Sequence, residues 1–351
     1  MSGMEGYPEI TIGIITLNRE WSIGAVIESI KRQDYPHSKI HVLVVDGGSK
    51  DRTVEVARRA LEGSGFAGFE IVVQSSNIPE ARNICIERMV GEALLFWDSD
   101  VLMERTAVSR LVGDLGKCDI VSAKASQADI SRPEEINDIL ERIDEGQGEP
   151  GGLIAVPAVA MGHTLIHRKV FEAVRFDPEL PFGEDADFCI RARERGYSVC
   201  VDTGVRAFDV NVGSSRLSDI YVYSPVLPQL KSLRKRARAK VYGLDFEVGV
   251  SRILRYLYSN KRYVFYLGYA LSALLLIAGL LTPLRLLAVL LPLQLLLYFL
   301  LQLRRRGFSG ALRATVLSLV VGTPLTVLML YYSLKESLKR FALRLRRSRI
   351  N

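Results

Sequence analysis

Short apolar runs that alternate with helix-length segments constrain this chain more than any other feature. Residues 9–17 carry Ile10, Ile12, Ile14 and Ile15, and residues 40–45, 69–74 and 93–97 repeat the pattern. Runs rich in β-branched residues suit strands. Between them, 21–33 sets Ile23, Val26, Ile27 and Ile30 at helical spacing, 52–61 follows the capping residues Ser49 and Asp51, and 79–89 opens on Pro79. Those are helix-start signals. Strands joined by helix-length crossovers pair in parallel with helices on both faces. The expected fold class is therefore α/β, a Rossmann-like, mostly parallel sheet.

Farther along, 106–115 reads as a helix and 118–123 and 158–167 as strands. Residues 185–195 read as a helix, and 197–201 and 205–210 as two short strands. Residues 127–152, polar, acidic and glycine-bearing, read as a short helix in a mobile loop able to cover a site.

The run Ala93-Leu94-Leu95-Phe96-Trp97 has no polar residue, as a strand buried on both faces requires. It ends in Asp98-Ser99-Asp100. On an extended chain, alternate side chains point the same way. Both acids then face one spot beyond the strand's carboxyl end, where open α/β sheets bind ligands. Close carboxylates repel and are costly to desolvate without a positive partner. A hard divalent cation, Mg2+ or Mn2+, suits oxygen ligands. A solvated Asp-Ser-Asp turn is the plain alternative. Glu184-Asp185, after Pro181-Phe182-Gly183, opens the later helix, where N-terminal amides favour a carboxylate. An acid-rich helix start without a chemical role is the alternative there, and Asp187 reads as a cap or support. His37, His41, His163 and His167 have no zinc spacing, although His163 could touch a ligand.

Charge divides the chain. Residues 1–215 hold 23 Lys+Arg and 35 Asp+Glu, whereas 216–351 hold 23 and 4. A domain boundary is expected near 215. Cys85, Cys118, Cys189 and Cys200 form no Cys-x-x-Cys pair and read as reduced and mostly buried. The first residues carry no signal-peptide pattern, so the front half is expected in the cytoplasm. In the back half, 264–281 and 286–303 are uncharged and apolar, and 314–334 is apolar around Gly322-Thr323-Pro324. Bracketed by Arg and Lys clusters, these read as membrane segments. The basic, apolar-interleaved stretch 216–262 reads as interfacial helices on an anionic membrane rather than a nucleic-acid surface. A third full span would place the basic tail 335–351 outside, against the positive-inside rule. A re-entrant hairpin at Gly322-Thr323-Pro324 would resolve that conflict.

Taken together, Thr16-Leu17-Asn18-Arg19, Val45-Asp46-Gly47-Gly48-Ser49-Lys50-Asp51, Ala81-Arg82-Asn83, Asp98-Ser99-Asp100 and Gly183-Glu184-Asp185-Ala186-Asp187-Phe188 resemble the GT-A fold, family 2 inverting glycosyltransferases. The resemblance covers about residues 8–210. It implies transfer of a sugar from a UDP- or GDP-linked donor. The donor would lie against Thr16, Asn18, Arg19, Asp46, Arg82, Asp98 and Ser99. Asp98 and Asp100 would hold the metal, and Asp185, beside Glu184, would be the general base. Two departures stand out. Gly47 occupies the place of a second acid in many members, and Asp209 stands where a His often completes the metal site. Asp209 could ligate through oxygen. No Gln-x-x-Arg-Trp motif of processive synthases is present. The retained Glu184-Asp185 pair favours a hydroxyl of a polyprenyl-linked or other lipid acceptor, because a phosphate acceptor needs no base. The rivals are a polyprenyl-phosphate sugar synthase and a non-catalytic nucleotide-sugar sensor.

Overall fold

The computed structural model describes residues 6–145, 151–180, 183–212, 266, 268–273, 290–332 and 334. The chain divides into two compact units, Met1–Ser215 and Arg216–Asn351.

The first unit begins with β1 (Ile10–Thr16), α1 (Ile23–Lys31), β2 (Ile40–Asp46), α2 (Thr53–Leu61), β3 (Gly68–Val73), α3 (Ile78–Arg88) and β4 (Ala93–Trp97). β1 pairs in parallel with both β2 and β4, and β2 with β3. Thr16 lies level with Asp46, so the two strands end together. All five residues of β4 are buried, the burial that its unbroken apolar run requires. α3 starts at a reciprocal cap: Asn77 accepts from the Glu80 amide and the Glu80 side chain accepts from the Asn77 amide.

The unit continues through β5 (Val101–Met103), α4 (Ala107–Asp114), β6 (Ile120–Ile130), α5 (Ile136–Arg142) and β7 (Leu153–Ala155). It closes with β8 (His163–His167), α6 (Arg168–Ala173), α7 (Glu184–Glu194) and β9 (Val199–Val212). The sheet order is β3-β2-β1-β4-β8-β6-β9-β5, with β7 also on β9. β8 runs antiparallel to both β4 and β6, so the sheet is mixed beyond β4. Alternation along β4 feeds two cores. Ala93, Leu95 and Trp97 pack on the face of α1, α2, α4 and α5. Leu94 and Phe96 pack on the face of α3, α6 and α7.

Several expectations are corrected. Within 127–152 the expected short helix is present as α5, but the described residues, 127–145 and 151–152, do not form a loose cover. β6 runs on to Ile130, and Ile136, Leu140 and Ile143 are core residues. Arg32 donates to the Leu140 carbonyl at 3.1 Å and Arg206 to that of Ile143 at 3.0 Å. The expected strand over 158–167 begins only at His163, and the two short strands at 197–210 are one continuous β9. The cysteines are not all reduced: Cys118 and Cys200 form a disulfide, while Cys85 and Cys189 are buried and free. The parallel pairing of Ile120 with Val199 brings the bonded pair together across 82 positions of sequence.

In the second unit, α8 (Leu290–Leu317) breaks at Gly307, whose φ of 67° and ψ of −178° are not helical. Arg306–Tyr332 is the one helix among the described residues long and apolar enough to cross a membrane, and Leu291–Arg304 is a shorter apolar helix. The expected hairpin at Gly322-Thr323-Pro324 is not formed. A π turn over Ser318–Gly322 carries the helix through it. Proline lacks an amide, and a widened turn absorbs the missing bond. Thr323 Oγ1 donates to the Ser318 carbonyl at 3.1 Å and Thr326 Oγ1 to that of Gly322 at 2.8 Å. Of the expected segment 264–281, residues 266 and 268–273 are described and helical. The stretch 216–262 and the tail 335–351 lie outside the described residues.

Candidate active site

Asp98, Ser99 and Asp100 form a turn between β4 and β5 rather than an extended continuation of the strand. The turn is held from several sides. The Asp98 amide donates to the Gly162 carbonyl at 2.9 Å, and the Val210 amide to the Asp100 carbonyl at 2.8 Å. Ser22 Oγ donates to the Ser99 carbonyl at 2.6 Å, and Trp97 Nε1 to the Val101 carbonyl at 2.8 Å. Ser99 is itself buried. Gly162 is a requirement of this packing. A Cβ there would lie 2.4 Å from Asp98 Oδ2.

Two arginines approach the acid pair. Arg19, from the β1–α1 loop, pairs with Asp100 at 3.3 Å, and Arg82, from α3, lies 3.9 Å from Asp98. Arg82 also bonds Glu184 at 3.0 Å and Asp185, the two acids that open α7. Its guanidinium sits 5.9 and 5.3 Å from the ring centroids of Phe96 and Phe176. Burial lowers the Arg82 pKa, and the charges of Asp185, Glu184 and Asp98 more than reverse it. Gly183 starts α7 from a left-handed conformation, φ 83°, which glycine adopts without a Cβ clash. Asp185 Oδ2 accepts from the Met161 amide at 3.3 Å. Asp187 pairs with Arg191, one turn on, and stands apart from this network.

Burial dominates the electrostatics. It pushes the Asp98 carboxyl up to about 6 against the pull of Arg82. Asp98 lies deep in the protein, yet 34% of its side chain stays exposed. Asp98 Oδ1 is buried without a hydrogen-bond partner. Burial, then the Asp185 charge, pushes Glu184 up to about 8. Asp100 and Asp209 are also raised, by burial first. An orphaned carboxylate oxygen beside a second acid fits a hard divalent cation. Asp98, Asp100 and Asp209 influence one another electrostatically. They are not drawn into a ready three-ligand set, and no such His, Cys, Asp or Glu cluster occurs among the described residues.

The remaining candidates lie at the ends of β1 and β2. Thr16 Oγ1 is buried and unpartnered. Asn18, at φ 52°, takes the Lys50 amide on its Oδ1 at 2.9 Å and gives its own amide to Ser49 Oγ at 2.7 Å. Asp46 is fully buried, and its oxygens receive the Gly48 and Ser49 amides at 2.9 and 2.7 Å and the Ser49 hydroxyl. Asn18 and Asp46 thus brace the two loops. Sequence reasoning singled out His163 but missed Gly162 and the buried group that Ser122 and Thr164 form with that histidine. In that group, His163 Nδ1 lies 2.8 Å from Ser122 Oγ, and Thr164 Oγ1 donates to it at 2.9 Å. The one signal was Gly162 directly before a strand.

A mixed sheet, with acids at the carboxyl ends of its parallel strands, is a GT-A-like architecture. The crystal structure of GalNAc-T7 with UDP, GalNAc and Mn2+ matches it with a TM-score of 0.50 at 15% identity, over 68% of this chain and 48% of that one. Residues 11–175 match the model of the family described as Glycosyl transferase family 2. The curated relatives include glycosyltransferase AglE of Haloferax volcanii, 35% identical over 95 residues, 26% of this chain and 31% of that protein. Poly(ribitol-phosphate) beta-N-acetylglucosaminyltransferase TarS of Staphylococcus aureus is 27% identical over 92 residues, 26% of this chain and 16% of that protein. The chain thus matches less than a third of each relative's length.

Proposed function

We propose that the protein is a membrane-bound, metal-dependent inverting glycosyltransferase. It moves a sugar from a UDP- or GDP-linked donor to a hydroxyl of a polyprenyl-linked or other lipid acceptor at the cytoplasmic face. The observation that carries this reading is the single buried Arg82 that joins Asp98 to Glu184 and Asp185. A donor end and an acceptor end thereby share one cleft.

Asp98 and Asp100 would hold Mg2+ or Mn2+, with Asp209 behind them. The ion, when bound, neutralises charge on the leaving diphosphate. Arg82 adds a fixed positive charge beside it. The nucleoside would lie over the β1 end, where Thr16 Oγ1 is buried and unpartnered, on loops braced by Asn18 and Asp46. Glu184, 9% exposed and held by Arg82 at 3.0 Å, is too enclosed to meet an acceptor hydroxyl. That leaves Asp185, 27% exposed, as the base that takes the acceptor hydroxyl's proton. Inversion follows from one displacement, with the base on the face of the sugar opposite the leaving group. The UDP, GalNAc and Mn2+ bound to GalNAc-T7 support a nucleotide donor and a divalent ion.

Membrane residence is supported by the Arg306–Tyr332 helix and by the basic composition of 216–351. The basic residues before the first apolar segment favour a cytoplasmic catalytic unit under the positive-inside rule. The Cys118–Cys200 disulfide weighs the other way, because such bonds persist mainly in oxidising compartments.

Asp185→Asn tests the acceptor. Turnover should fall by about a hundredfold or more while donor binding is retained. Near-normal turnover would instead identify an acceptor already ionised, such as a polyprenyl phosphate. Unchanged turnover of the wild type in EDTA would remove the metal from the scheme.

A further inference from the structure

Resting on the reading of Asp98 and Asp100 as the cation pair, we propose that Arg19 is a movable counter-charge: it holds Asp100 until a divalent ion arrives, then yields that carboxylate and turns to the donor's diphosphate. Two arginines face the acids, and their surroundings decide which one moves. The Arg82 side chain is 4% exposed and lies between two aromatic rings. It serves Glu184 and Asp185 as well as Asp98, so displacing it would strand buried carboxylates. The Arg19 side chain is 39% exposed, and its ion pair is with Asp100.

The Arg19 backbone, by contrast, is fixed. Its amide donates to Thr53 Oγ1 at 2.7 Å, and its carbonyl accepts the Ser22 and Ile23 amides at 3.1 and 3.0 Å. Asn18 before it is the one non-glycine residue with positive φ among the described residues. The arm therefore pivots on an anchored Cα, with its guanidinium 6.0 Å from the Trp21 ring.

The Arg19–Asp100 pair is half-buried, 39% and 25% exposed at its two side chains, and at 3.3 Å it makes one hydrogen bond, so it is weaker than the sealed network of Arg82. A doubly charged ion with oxygen-seeking chemistry outcompetes it for Asp100. Until then, Arg19 offsets the repulsion among Asp98, Asp100 and Asp209. Once released, its planar guanidinium stands at the cleft mouth, where an arriving diphosphate gives it a two-pronged partner. Arg19 thus opposes the ion alone and assists the nucleotide that follows.

The test uses the purified full chain. Mn2+ affinity is read by electron paramagnetic resonance without nucleotide, and UDP and GDP affinities by calorimetry with Mn2+ present. Arg19→Gln should bind Mn2+ alone about two- to fivefold more tightly and bind UDP or GDP more weakly. Arg52→Gln removes a charge from the same pair of loops, where Arg52 meets Glu20 at 3.2 Å, and should leave Mn2+ affinity unchanged. Arg19→Met, checked by circular dichroism, should repeat the Arg19→Gln result. Unchanged or weaker Mn2+ binding in the Arg19 variants overturns the proposal, as does an equal gain in Arg52→Gln, which would mean a general field effect. A wild type that binds no Mn2+ removes the acid-pair reading itself, and this one with it.

Discussion

Gly162 leaves no room for a methyl group against Asp98. Gly162→Ala should displace that carboxylate by a fraction of an ångström to an ångström. Activity should drop by about a hundredfold while the circular dichroism spectrum is unchanged. Full activity in the variant would show that Asp98 does not need its present position. Glu184 makes a pH prediction. Its folded value, about 8, stands above its ordinary 4.5. The folded state therefore holds a proton that the unfolded chain gives up. The associated stability is complete below about 4.5 and is lost as pH rises through about 8. The melting temperature of the metal-free protein should fall across that window in the wild type, and less in Glu184→Gln. Asp98 and Asp100 were legible because an apolar run stops there. Arg82's second task was not: nothing local in Ala81-Arg82-Asn83 shows that α7 will bring Glu184 and Asp185 against it.

Among elements, the first four strands and their helices read correctly because each strand is a short apolar run and each helix fills the stretch between two of them. The second half was harder. β8 joins the sheet antiparallel, between β4 and β6, a choice set by long-range pairing rather than by its five residues. β9 was split in two because Asp202, Thr203 and Gly204 look like a turn. They sit where the register with β6 shifts, between Ala123 and Lys124. The acidity of 127–152 suggested a solvated cover, but three apolar residues at helical spacing, Ile136, Leu140 and Ile143, tie α5 to α1 and the core. Leu140→Ala should therefore cost about 2–5 kcal/mol of stability and leave KM unchanged at a temperature where the fold persists. A raised KM with unchanged stability would restore the lid.

At the scale of the whole molecule, an acidic unit precedes a strongly basic one. The continuous helix Arg306–Tyr332 has basic residues at its start, and the chain beyond it is basic again. A full span carries these two clusters to opposite sides of the bilayer. Reporters placed between Arg304 and Arg306 and at the C-terminus should then read opposite sides, whereas the same side for both would bring back a hairpin. Sequence charge alone argued for that hairpin. The helix is continuous because a π turn accommodates Pro324, a local solution with no signature in hydropathy.

The Cys118–Cys200 bond has a covalent consequence. It turns the intervening chain into a closed ring containing β6, α5, β7, β8, α6 and α7, and with them Gly162, Glu184 and Asp185. A protease that nicks any loop in that ring releases no fragment until a reductant is added. The half of the site with Glu184 and Asp185 stays tethered to the half with Asp98 and Asp100 through the cut.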